Sequence, residues 1–84
     1  MNKILFLTIL DCHNCAAAKK IFNEIIPEFK DKVEIVEIDI ASPKGQELAG
    51  KYSVMASPGI IINDELFSTG GVNKEKLIEK LKSL

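Results

Sequence analysis

The pattern of apolar and polar residues predicts four strands. Residues 4–10 are apolar without alternation, which is typical of a central strand covered on both faces. Residues 33–40 mix β-branched apolar residues with acidic ones and predict a second strand. Two short strands are predicted at 60–62 and 66–69, joined by a turn at 63–65 that lacks the usual glycine of a tight hairpin.

Apolar residues at helical spacing predict a first helix that begins near His13. They recur at Ala18, Ile21, Phe22, Ile25 and Phe29. Pro27 lacks a backbone N–H, so it is expected to kink this helix or end it near Ile26.

Two further helices follow the second strand and the hairpin. Ser42 and Pro43 predict an N-cap and a first helical position. This helix ends near Tyr52 and is expected to be short, because Gly45 and Gly50 each cost it about 0.5–1 kcal/mol relative to alanine. The last helix, residues 74–84, places four apolar side chains on its inner face: Leu77, Ile78, Leu81 and Leu84.

The predicted order of elements is β-α-β-α-β-β-α, which indicates an α/β protein. A strand, a helix and a strand over this length form a parallel pair with a right-handed crossover. The hairpin then adds two antiparallel strands. We therefore expect one domain over residues 1–84, with a four-stranded mixed sheet and helices on both of its faces.

Composition and charge narrow the function classes. The chain has 46% apolar and 27% charged residues, as is ordinary for soluble globular proteins. Its net charge is −1 and no basic block occurs, so no nucleic-acid surface is predicted. No stretch reaches membrane-spanning length, and the first apolar run is short for a signal peptide. We expect a cytoplasmic protein without a membrane contact.

The only two cysteines, Cys12 and Cys15, lie where the first strand meets the first helix. In a reducing compartment such a pair is usually catalytic or metal-binding. A helix N-terminus favours a thiolate and lowers the pKa of Cys12, while Cys15 lies one turn further into the helix. Because thiol–disulfide exchange needs an attacking thiolate and a resolving thiol, we assign these roles to Cys12 and Cys15, respectively. The pair predicts a thiol–disulfide oxidoreductase that needs no cofactor beyond its own Cys12–Cys15 disulfide.

Two neighbours are expected to tune this pair. His13 adds positive charge beside Cys12 when protonated, although histidine is mostly neutral at pH 7. The alternative is an exposed loop histidine without a role. Asp11 disfavours the thiolate through its negative charge, and it is expected mainly to cap the helix.

The element order, with Cys12-His13-Asn14-Cys15 after the first strand and Ser57-Pro58 before the third, resembles the thioredoxin fold. The short chain is most similar to glutaredoxin-like small thioredoxins. This resemblance implies that Pro58 is cis beside the cysteines and that Ser57 offers backbone groups to the substrate. It also implies protein or small-molecule disulfide substrates and a thioredoxin-reductase-like donor. Gly70 and Gly71 correspond to a rim that contacts glutathione or substrate.

Three departures from the family pattern change these expectations. Gly70-Gly71 is followed by Val72-Asn73-Lys74, without the acid that accompanies glutathione recognition. Phe6 stands where larger thioredoxins bury an acid, and Asp11 stands where they have a tryptophan. Proton handling is therefore expected to differ from that of the larger thioredoxins.

Other functions of a Cys-x-x-Cys pair remain open at this stage. Zinc needs four ligands, and His13, which is adjacent to Cys12, is the one further Cys or His in the chain, so a zinc site within one chain is not expected. A dimer that pools two pairs could carry a metal or an iron–sulfur cluster. The pair could also serve a redox-sensing binding module. We expect a monomer without a metal.

Overall fold

A mixed four-stranded sheet forms the centre of the computed structural model, which describes residues 2–84. Met1, part of the predicted domain, lies outside the described residues. The elements are β1 (Asn2–Thr8), α1 (His13–Phe29), β2 (Val33–Asp39), α2 (Pro43–Tyr52), β3 (Gly59–Ile62), β4 (Glu65–Thr69) and α3 (Lys74–Lys82). The strand order is β2-β1-β3-β4, with β1 parallel to β2 and antiparallel to β3. The predicted fold class is therefore confirmed.

The core consists of two layers, one on each face of the sheet. On one face, Ile4 and Phe6 of β1 pack with the buried sides of α1 and α3. On the other face, Leu7 packs with Ile61 of β3 and Leu48 of α2. Burial of β1 on both faces explains why its sequence is apolar without alternation.

The first strand ends earlier than its apolar pattern predicted. The parallel register with β2 stops at Thr8 and Asp39, and the pairing with β3 stops at Leu7. Without partner strands on either side, Ile9 and Leu10 leave the sheet, and the Leu10 side chain is 87% exposed. The prediction that the strand reaches Leu10 was wrong, since the lengths of the neighbouring strands set its end.

Helix α1 continues past Pro27 to Phe29, so of the two effects predicted for Pro27, a kink or an end near Ile26, the end is wrong. An interior proline costs a helix about 3 kcal/mol. Phe29 packs into the core and is only 8% exposed. Burial of such a side chain contributes about 1.5–3 kcal/mol, which offsets most of that cost.

Helix α2 begins as predicted, with Ser42 as its N-cap and the Ser42 hydroxyl accepting a hydrogen bond from Gly45 N–H at 3.0 Å. The helix ends at Tyr52, also as predicted. A Cβ atom at Gly45 would collide with the Asp39 carbonyl oxygen and lie 2.6 Å from Ile40 Cα. Gly45 therefore allows the helix to approach the end of β2.

The hairpin turn consists of Asn63 and Asp64 alone, because Glu65 already pairs with Ile62. Both turn residues have positive φ, 49° and 66°, as a type I′ turn requires. Asparagine and aspartate tolerate this conformation, so the turn forms without glycine. The Asn63 carboxamide oxygen also accepts a hydrogen bond from Lys3 N–H at 3.0 Å, which connects the turn to the start of β1.

Helix α3 has Asn73 as its N-cap and buries Leu77 and Leu81 against the sheet. It ends at Lys82, two residues before the predicted end at Leu84. Within residues 2–84, none of the helices combines the length and the apolar character needed to cross a membrane.

Candidate active site

Cys12 is the N-cap of α1, with extended backbone angles of φ −104° and ψ 113°. Its Sγ accepts a hydrogen bond from the Cys15 backbone N–H at 3.1 Å. Asp11 precedes the cap and has a φ of 57°. The expectation that Asp11 caps the helix was wrong, because the sulfur of Cys12 itself binds the free N–H of the first turn.

The two cysteines differ in their access to solvent. Cys12 is partly exposed, whereas Cys15 lies on the buried side of α1 and is only 4% exposed. Both are free thiols in this structure. The greater burial of Cys15 was expected from its position one turn into the helix.

The loop before β3 brings Ser57 to the same sulfur. The Cys12 Sγ lies 3.7 Å from the Ser57 hydroxyl oxygen and 3.9 Å from the Ser57 carbonyl oxygen. The Ser57–Pro58 peptide bond is cis, as the resemblance implied, and Pro58 is buried. Residues 45 positions apart in sequence thus meet at Cys12.

Hydrogen bonds to the Cys12 sulfur lower the pKa of this thiol. The Cys15 side chain has the largest effect, and the Cys15 backbone N–H adds to it. The Ser57 hydroxyl and the Asn14 backbone make smaller contributions in the same direction, while partial burial of the sulfur opposes them. All of these donors stabilise the thiolate over the neutral thiol. These contacts lower the pKa of Cys12, which is the direction that the sequence predicted for this thiol.

Hydrogen bonds between three pairs of residues, which sequence reasoning missed, connect the loops around the two cysteines. The Asn14 carboxamide donates a hydrogen bond to the Gly70 carbonyl at 3.1 Å, and Gly70 N–H donates to the Pro58 carbonyl at 2.9 Å. The Thr69 hydroxyl bonds both the N–H and the carbonyl of Ala56, at 3.0 and 2.8 Å. Gly70 has a φ of 85°, which favours glycine at this position. The only sequence signal for these contacts was the polar residue between the cysteines.

Gly70 and Gly71 take different positions relative to the site. Gly70 joins α1 to the loop at Pro58, as described above. A Cβ atom at Gly71 would meet no other atom within 4 Å, so this residue borders open space. Phe6, at the position where larger thioredoxins carry an acid, packs on Phe22 with ring centroids 5.2 Å apart.

A groove of about 720 Å³ borders both cysteines. The residues that line it come from the end of β1, the start of α1 and the end of β2: Thr8, Ile9, Leu10, Asp11, Cys12, His13, Cys15, Ala16, Lys19, Glu37 and Asp39. The structure therefore places both predicted tuning residues, Asp11 and His13, beside the sulfurs. The loop at Ser57 does not contribute to the lining, so the groove and this loop are separate surfaces around Cys12.

Two exposed apolar side chains belong to the segments that meet at Cys12. Leu10 is 87% exposed and Met55 is 86% exposed, and each lies two positions before a site residue, Cys12 or Ser57. The described residues 2–84 contain no group of three or more His, Cys, Asp or Glu side chains that could hold a metal ion. The Cys12 sulfur at the helix N-terminus, with Cys15 one turn further along, is suited to dithiol–disulfide chemistry.

Comparison with known proteins gives the same assignment from sequence. The sequence model of the thioredoxin domain family matches residues 3–83. The chain is 35% identical to a thioredoxin of Methanocaldococcus jannaschii over 80 residues, which cover 95% of this chain and 92% of that protein. It is 34% identical to a probable thioredoxin of Methanothermobacter marburgensis, with 94% and 91% of the two chains covered.

Solved structures show the same fold at lower identity. An uncharacterised thioredoxin-like protein from Clostridium perfringens superposes with a TM-score of 0.82 at 20% identity, covering 100% of this chain and 71% of that one. The oxidised form of mitochondrial thioredoxin 3 from Saccharomyces cerevisiae gives a TM-score of 0.78 at 20% identity, covering 99% and 78%.

Proposed function

The chain belongs to the thioredoxin family and is a thiol–disulfide oxidoreductase, and from this premise we propose separate roles for its two cysteines. Cys12 attacks the substrate disulfide, and Cys15 resolves the mixed disulfide that results. The observation that carries this proposal is the hydrogen bonding at Cys12 Sγ, which lowers the pKa of the more exposed thiol. The buried Cys15 is protected from competing reactions until the mixed disulfide has formed.

The proposed reaction transfers two electrons. The Cys12 thiolate attacks one sulfur of the substrate disulfide, and the other substrate sulfur leaves as a thiolate that takes a proton. Cys15 then gives up its proton and attacks Cys12 Sγ, which breaks the mixed disulfide and releases the second substrate thiol. The protein is left with a Cys12–Cys15 disulfide. A reductase of the thioredoxin-reductase type supplies two electrons and two protons to restore the dithiol.

The surfaces around Cys12 support disulfide substrates in an extended conformation. We propose that the backbone of Ser57 hydrogen-bonds the substrate chain, and that Leu10 and Met55 contact its apolar side chains. The paired glycines Gly70-Gly71 form the outer rim. Since the three residues that follow them, Val72-Asn73-Lys74, include no acid, we propose protein disulfides and small-molecule disulfides other than glutathione as substrates.

We further propose that the protein acts as a monomer in the cytoplasm. A single chain provides both sulfurs and the Ser57 loop, so no second copy is needed to complete the site. Cytosolic dithiols are kept reduced by reductase systems, which is the condition that this reaction cycle requires.

The test is to trap the mixed disulfide. The Cys15→Ser variant can attack a substrate but cannot resolve the product, so we expect it to accumulate a mixed disulfide on Cys12. Cys12→Ser is the matched control and should trap nothing. Reduction of insulin disulfides should depend on Cys12. Equal insulin reduction by wild type and Cys12→Ser would refute the assignment of the nucleophile.

A further inference from the structure

Lys19 and Glu37 form an ion pair in the groove that both cysteines border. The Lys19 Nζ lies 3.5 Å from Glu37 Oε2, and the two side chains are 58% and 46% exposed. Lys19 is four residues after Cys15 on α1, a spacing that places Cβ atoms about 5–6 Å apart. Glu37 comes from β2, where it pairs in register with Phe6 of β1. The ion pair therefore connects the helix of the cysteines to the neighbouring strand.

The charges in this groove are unequal in number. Among the residues that line it, Asp11, Glu37 and Asp39 are acidic, whereas His13 and Lys19 are basic. The Asp39 carboxylate accepts a hydrogen bond from Ala41 N–H at 2.9 Å, within its own loop. Among the residues that line the groove, Lys19 alone carries a permanent positive charge. Its effect on the sulfurs therefore depends on how far Glu37 neutralises it.

We propose that the Lys19–Glu37 pair sets the redox balance of the Cys12–Cys15 couple. This inference rests on the proposed function, in which these two sulfurs form the redox couple. Reduction of the disulfide adds two electrons, breaks the S–S bond and leaves negative charge on Cys12 once its proton has gone to solvent. The oxidised form has no charge on either sulfur. A positive charge at Lys19 therefore favours the dithiol, and Glu37 limits this effect.

Lys19 and Glu37 are positioning residues in this scheme, because they act on the sulfurs through charge and not through contact with substrate. Their effect should be moderate, since both side chains are about half exposed and water screens them. We expect each single neutralisation to change the equilibrium constant against a reference disulfide by about two- to fivefold. For a two-electron couple this corresponds to about 9–21 mV.

The test measures the reduction potential of the full chain by equilibration with a reference dithiol–disulfide pair. Glu37→Gln removes the neutralising charge and should make the couple more oxidising. Lys19→Gln leaves Glu37 unpaired and should make it more reducing. The double variant should return towards the wild-type value, because both charges are gone. Thermal unfolding of each variant establishes that it is folded.

The other ion pair among the described residues provides a matched control. It joins Glu24 of α1 to Lys74 of α3, and the Lys74 Nζ lies 2.6 Å from the Glu24 Oε2. Glu24 is 44% exposed and does not line the groove. Glu24→Gln changes the net charge as Glu37→Gln does, so it separates an effect of position from one of total charge. We expect its potential to match that of wild type.

A second measurement records the Cys12 pKa from thiolate absorbance. It should fall in Glu37→Gln and rise in Lys19→Gln. Shifts of the same sign in both variants, or shifts no larger than in Glu24→Gln, would overturn the proposal. These outcomes leave the proposed function intact as long as wild type forms the Cys12–Cys15 disulfide reversibly. If the wild-type protein fails to do so, the proposed function fails.

Discussion

Two glycines of α2 should respond in opposite directions to the same substitution. A Cβ atom at Gly50 would meet no other atom within 4 Å, whereas one at Gly45 would collide with backbone of Asp39 and Ile40. Gly50→Ala should therefore stabilise the protein by about 0.5–1 kcal/mol through helix propensity. Gly45→Ala gains the same propensity, but it must push α2 away from the end of β2.

The expected size of the Gly45 effect follows from that collision. The Cβ atom would lie 2.6 Å from Ile40 Cα, and neither backbone segment can move as a side-chain tip does. Overpacking of this kind costs about 1–3 kcal/mol, so the net loss after a propensity gain of about 0.5–1 kcal/mol reaches up to about 2.5 kcal/mol. For a domain of this size, each kcal/mol of net loss lowers the melting temperature by roughly 4–8 °C.

Urea unfolding followed by circular dichroism measures both variants against wild type. The midpoint should rise for Gly50→Ala and fall for Gly45→Ala, with unchanged m values. Insulin reduction per folded molecule should be preserved in Gly50→Ala, because a Cβ atom at Gly50 meets no other atom within 4 Å and α2 does not line the groove. If Gly45→Ala were as stable as Gly50→Ala, the close approach of α2 to β2 would be wrong.

Three further variants test the site and the core. Ser57→Ala removes a hydrogen-bond donor from the Cys12 sulfur and should raise the pKa of that thiol, which moves the pH profile of its alkylation to higher pH; an unchanged profile would contradict the contact. Asp11→Asn removes a nearby negative charge and should lower the Cys12 pKa, and a thiolate titration without a fall would refute that role. Phe22→Ala removes a core side chain that is 3% exposed and should destabilise the fold by about 3–5 kcal/mol in urea unfolding, whereas a loss below 1 kcal/mol would contradict its burial.

The order of elements could be predicted because the apolar pattern is local. The end of β1 could not, since it depends on where β2 and β3 stop, and these strands are distant in sequence. The N-cap of α1 was assigned to Asp11 because aspartate is the commoner cap, and the local pattern did not indicate that a cysteine sulfur takes this place.

Contacts between distant segments also could not be predicted from the sequence. Asn14 and Gly70 are 56 positions apart, and their hydrogen bond depends on how α1 and the end of β4 are placed by the whole sheet. The Lys19–Glu37 pair likewise follows from the parallel register of β1 and β2, which puts Glu37 beside Phe6. A pattern along the chain identifies elements, whereas such pairs require the assembled sheet.

The hairpin turn at Asn63 lies at the opposite end of β1 from the cysteines. Ile62 pairs with Ile4, near the start of β1, and Cys12 follows the other end of this seven-residue strand. A strand of that length spans roughly 20 Å. A fluorophore attached at Asp64 would therefore not contact a substrate disulfide bound at Cys12. It would still be close enough for energy transfer to a labelled partner. The turn is thus a suitable position for a probe that follows the formation of complexes.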